Sequence, residues 1–92
     1  MDSELIRTKL IEVIVEIQSD SGYEAPAFPE DLCPGEDLEG FDSLIWPAAI
    51  DMVSQRLDME IAPAENLFVS KDGRRFLTIG QIVSRIHELA EC

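Results

Sequence analysis

Ninety-two residues, 46% hydrophobic and 28% charged, describe one folded domain spanning residues 1–92 with a modest core, and they exclude a chain disordered throughout. A net charge of −12 disfavours direct binding to nucleic acid or to anionic membrane surfaces, and steers the chain toward basic partners. No apolar run approaches the roughly eighteen residues of a membrane span, and the opening Met1-Asp2-Ser3-Glu4 is acidic where a secretion signal is basic, so a cytoplasmic protein is expected.

The charge is unevenly placed. Residues 1–42 carry −10 and residues 43–92 carry −2. Either the first half is simply well solvated, or it offers a docking surface to a basic partner. Cys33 and Cys92 match no metal-ligand spacing, and two free thiols are the expectation in a chain without a secretion signal.

The first helix is predicted over residues 3–18. Ile6, Leu10, Val13, Ile14 and Ile17 recur at spacings of three and four, and Asp2 or Ser3 supplies the N-cap. A β-branched run from Ile11 to Ile17 offers a strand as the rival, but sixteen residues without Gly or Pro favour the helix.

Ser19 to Phe41 reads as a long connection, broken by Gly22, Pro26, Pro29, Pro34, Gly35 and Gly40. Phe28, Leu32, Leu38 and Phe41 are apolar enough to pin it across a helical core. Glu36, Asp37 and Glu39 gather acid near its end, as a solvated loop or as a docking surface.

A second helix is predicted from Asp42 to about Leu57, with Ala49, Ile50, Val53 and Leu57 facing inward and Leu44, Pro47, Ala48 and Asp51 on a different face. Pro47 cannot donate to the Ser43 carbonyl, so regular helix is expected only from near Trp46. Trp46 reads as an anchor at the core edge.

Residues 59–77 admit two readings. Pro63 to Phe68 suits a short third helix with proline in its first turn, followed by a loop, and this is the favoured reading. The Asp72-Gly73 turn between Leu67-Phe68-Val69 and Phe76-Leu77 also suits a small hairpin. The last helix opens on Thr78 with Gln81 three residues later, a capping-box spacing, and continues with Ile79, Ile82, Val83, Ile86 and Leu89 or Ala90 on one stripe. His87 lies beside that stripe.

Gly40-Phe41-Asp42-Ser43-Leu44 is the stretch with chemistry in it. A serine after an aspartate, where a helix begins, is usually part of a helix cap. The same position places a hydroxyl where free backbone N–H groups and the helix dipole favour an attached phosphate. Catalysis by the chain itself lacks support: nothing in the sequence links Ser43 to His87, the only histidine, and there is no Gly-rich phosphate loop or metal-ligand cluster.

A small all-α domain, a four-helix bundle with a long first loop and Asp42-Ser43-Leu44 opening its second helix, resembles the acyl carrier protein family. Glu36-Asp37-Leu38, Leu57-Asp58-Met59-Glu60-Ile61 and Thr78-Ile79 extend the similarity over roughly Glu36 to Ile86. The resemblance implies 4′-phosphopantetheine on Ser43, attached by a phosphopantetheinyl transferase, with Asp42 and Leu44 helping to present the serine. It further implies a non-catalytic, monomeric carrier that holds cargo as a thioester for a loading ligase and downstream enzymes. Leu44, Pro47, Ala48 and Asp51 would form the partner face. That face holds one acid where many fatty-acid carriers hold several, which points to a specialised acyl, polyketide or aminoacyl carrier. The rival expectation is an unmodified interaction module in which Ser43 is only a cap.

Overall fold

The structure, a computed structural model, describes residues 2–23, 28–61, 66–70 and 72–91. It is mostly helical: α1 spans Ser3–Asp20, α2 Pro34–Asp37, α3 Trp46–Arg56 and α4 Ile79–Glu91, with no strand among the described residues. The all-α class expected from the sequence therefore holds. Among the described residues no helix is long and apolar enough to cross a membrane.

α1 is the element on which the others are assembled, packing against both α3 and α4. Asp2 caps it by accepting the Glu4 N–H at 3.1 Å. Ile6, Leu10, Val13 and Ile14 are fully buried, and each contributes roughly 1.5–3 kcal/mol of transfer free energy before ordering costs. The helix runs two residues past the predicted end. It stops in a Schellman motif, with Tyr23 N–H on the Gln18 carbonyl, Gly22 N–H on the Ser19 carbonyl, and Gly22 at φ 83°.

The long connection is ordered by backbone as well as by apolar side chains. The carbonyls of Glu30 and Leu32 accept the N–H groups of Gly80 and Ile79 at 3.1 and 2.8 Å, satisfying donors at the α4 N-terminus that have no intrahelical partner. Thr78 and Gln81 add the predicted capping box, each side chain accepting the other's backbone N–H. The connection also contains the single turn α2, which a run of four residues gives periodicity no chance to reveal.

The predicted third helix is absent at those of its residues that are described. Positions 63–65, with its proposed opening residue Pro63, lie outside them, as do Lys71 in the following turn and Cys92. Asn66, Leu67 and Phe68 are not helical. Asn66 Oδ1 instead accepts the Phe68 N–H, a local bond that competes with helix. Val69 and Phe76 then form an isolated antiparallel bridge, with Leu77 N–H on the Phe68 carbonyl and Ser70 N–H on the Arg75 carbonyl. The chain thus makes the small hairpin, which places Leu67 and Phe68 wholly in the core.

Candidate functional site at the start of α3

Four consecutive residues fix the backbone that leads into Ser43. The Glu39 carbonyl accepts the Gln18 side-chain N–H at 2.8 Å, tying the loop to α1. Gly40 follows at φ 76°, and a Cβ there would lie 2.5 Å from Tyr23 Cε2, so both conformation and space demand glycine. Phe41 is buried, its ring edge-on to Phe68 at 5.1 Å, and its carbonyl accepts the Trp46 Nε1–H at 3.2 Å. Asp42 then closes the turn. Its Oδ1 accepts the Leu44 N–H at 3.1 Å, and its carbonyl accepts those of Ile45 and Trp46 at 3.0 and 3.3 Å.

Asp42, and not Ser43, therefore supplies the side-chain bond that closes the turn leading into α3, whose own N-cap, Ile45, has none. Ser43 is exposed, and its hydroxyl makes no hydrogen bond among the described residues. The expectation of free N–H groups around it also needs correction. Those of Leu44, Ile45 and Trp46 are engaged by Asp42, and Pro47 has none, which leaves the N–H groups of Ser43 and Ala48, without an acceptor among the described residues, and the dipole of α3 to favour an anion here.

Helix α3 begins at Trp46, as Pro47 predicts. Its predicted inward stripe is buried at Ala49, Ile50, Val53 and Leu57. Leu44, Pro47, Ala48 and Asp51 are all exposed, and with Ser43 they share the outer side of the turn and the helix. Leu44 is 87% exposed, far more than any other large apolar side chain described. Asp51 accepts a hydrogen bond from the Gln55 side chain, one helical turn on.

Trp46 is half-buried against Phe68, with ring centroids 5.7 Å apart, and Phe76 meets its edge at 6.3 Å. Gly35 lies beneath both rings, where a Cβ would come within 2.7 Å of Phe76 and 2.8 Å of Trp46. Cys33, free and half-buried, has its pKa raised by burial and by the nearby carboxylates of Asp37, Glu36 and Asp31. His87 is half-buried on α4.

The sequence reading missed Gln18 and Tyr23 as supports of this site. Gln18 was detectable: it lies four residues after Ile14, a polar side chain in an apolar slot. No protein-family model, curated protein or solved structure matches this chain.

Proposed function

We propose that the chain is a carrier domain bearing 4′-phosphopantetheine on Ser43, with a four-helix, acyl carrier-like arrangement behind it. The observation that carries this reading is the condition of Ser43. Its hydroxyl is exposed and unbonded, on a turn whose capping is done by Asp42, beside the most exposed large apolar side chain described. The residues fit the group, because modifying this oxygen breaks no internal hydrogen bond and displaces no packed atom.

On transfer from coenzyme A, the Ser43 oxygen forms a phosphodiester as the pyrophosphate bond breaks, and the adenosine bisphosphate half and the hydroxyl proton leave. When bound, the group supplies a flexible arm ending in a thiol that holds cargo as a thioester. The chain's own work is presentation. Asp42 holds the turn, and Leu44, Pro47, Ala48 and Asp51 offer a face to the transferase, to a loading ligase and to downstream enzymes. With one carboxylate on that face, recognition rests on apolar contact more than on charge steering, which suits a specialised acyl or aminoacyl carrier in the cytoplasm.

Intact mass after incubation with coenzyme A, Mg²⁺ and a broad-specificity phosphopantetheinyl transferase tests the reading. One phosphopantetheine is expected on the wild type and none on Ser43→Ala. A folded wild type that gains nothing with several transferases would overturn it in favour of the unmodified interaction module, for which the exposed Leu44 face is the supporting feature.

A further inference from the structure

The hairpin and α2 meet at one place. Gly35 packs under Phe76, and the Cys33 thiol lies 3.8 Å from the Phe76 carbonyl. Charges of opposite sign flank that contact, with Glu36 and Asp37 on the α2 side and Arg74 and Arg75 on the hairpin side, all four exposed. Between them Phe76 is 41% exposed.

Arg74 and Arg75 are unusual in a chain of net charge −12. Arg7 pairs with Glu30, Lys9 with Glu12, and Arg56 with Glu12 and Glu16. No carboxylate lies within ion-pair distance of the Arg74 or Arg75 side chains among the described residues. The nearby Asp72 is bonded by the Ser70 hydroxyl and the Arg74 N–H, which hold its carboxyl below the ordinary value, and the Arg75 charge adds to this from beyond ion-pair distance.

We propose that this acid–aromatic–base patch is an isologous contact between two copies of the chain. A two-fold axis near Phe76 sets Arg74 and Arg75 of each copy against Glu36 and Asp37 of the other, and brings the two Phe76 rings together. A two-fold contact requires this kind of self-complementarity, in which a patch carries both signs about an apolar centre. The four charges sum to zero, and the repulsion comes from the neighbouring Asp72 and the rest of the surface. At physiological salt that repulsion is screened beyond about 8 Å. The contact is small and the association accordingly weak, reached at high protein concentration, in place of the monomer expected from the sequence. This inference is independent of the carrier reading.

Sedimentation velocity at physiological salt, over a concentration series from about 10 μM to 1 mM, tests it in the range where small interfaces associate. Wild type is expected to move from monomer toward dimer across the series. R74E/R75E and E36K/D37K should each lose at least tenfold in association while keeping the wild-type circular dichroism spectrum. An equimolar mixture of the two should recover it, because every contact across the two-fold is again of opposite sign. Since Asp37 also accepts the Cys33 N–H, Glu36→Lys alone is run beside the double variant to separate charge from local folding. A wild type that stays monomeric to 1 mM, undiminished association in R74E/R75E, or a mixture no more associated than its components would each overturn the proposal.

Discussion

Asp42→Ala and Ser43→Ala test the division of labour at the start of α3. Asp42 Oδ1 is the sole side-chain acceptor at this helix start, bonding the Leu44 N–H at 3.1 Å, and α3 itself has no side-chain cap. Removing a capping carboxylate costs about 1 kcal/mol. In a chain of this size that lowers the thermal midpoint by about 4–8 °C. The Ser43 hydroxyl has no partner to lose among the described residues, so Ser43→Ala should stay within about 0.5 kcal/mol of wild type, as exposed substitutions usually do. Asp42→Asn keeps an acceptor in place and should recover most of the loss. Thermal unfolding followed by circular dichroism, with the three variants in one buffer, reads these shifts directly. If Ser43→Ala destabilised as much as Asp42→Ala, Ser43 would be the cap after all, and its conspicuous exposure would have a structural cause needing no attached group.

Two further predictions concern the frame around the site. α3 ends in a Schellman motif with Met59 N–H on the Ser54 carbonyl and Asp58 N–H on the Gln55 carbonyl, but the left-handed residue is Asp58 at φ 51°, where α1 uses Gly22. Asp58→Gly relieves that conformation and removes an acid from the negative end of the helix dipole, so a gain of about 0.5–1 kcal/mol in urea unfolding is expected; a loss would contradict the geometry. Cys33 titrates above the ordinary thiol value of 9.0, chiefly because it is buried and then because Asp37, Glu36 and Asp31 oppose the thiolate. With the folded pKa above the unfolded one, the stability tied to the neutral thiol is complete below the ordinary value and is lost as pH rises through the folded pKa. Alkylation of native Cys33 in a Cys92→Ser background, followed by mass from about pH 7 to 10.5, should therefore have its midpoint on the alkaline side of that of the unfolded chain. A midpoint at or below the unfolded value would refute the assignment.

What was legible in the sequence followed from local physics. The stripes of α1 and α4, the inward face of α3 and the Thr78–Gln81 box are each set by residues three or four apart, and periodicity reports such spacings faithfully. The effect of Pro47 on the start of α3 was legible for the same reason. The hairpin was legible only as the less favoured of two readings, because the Val69–Phe76 bridge joins residues seven apart whose pairing depends on Leu67 and Phe68 finding the core. The role of Gln18 was not legible, because its partner is the Glu39 carbonyl 21 residues away. Asp42 and Ser43 are both good capping residues, so their order of use is a matter of turn geometry that the sequence leaves open.

The supports of Ser43 also bear on where flexibility in a carrier would reside. Glu39 is held by Gln18, Gly40 fits under Tyr23, Phe41 is buried against Phe68, and Asp42 closes the turn. The first two ties reach α1 and the cap that ends it, the third reaches the hairpin and the last closes the turn itself, so rocking the base of Ser43 would require breaking several at once. At the exposed tip, Leu44 shares the Asp42 bond through its N–H, while the side chains of Ser43 and Leu44 carry none of these ties. A group attached to this serine would therefore swing from a fixed origin, and its reach would be set by its own length rather than by movement of the protein. That arrangement suits delivery to more than one partner, because each finds the same Leu44–Pro47–Ala48 surface in the same relation to the attachment point. It also predicts that loosening the base, as with Gly40→Ala, would impair recognition while leaving the Ser43 hydroxyl free to be modified. An intact-mass assay of Ser43 loading, run beside binding of a loading ligase, would separate those two effects.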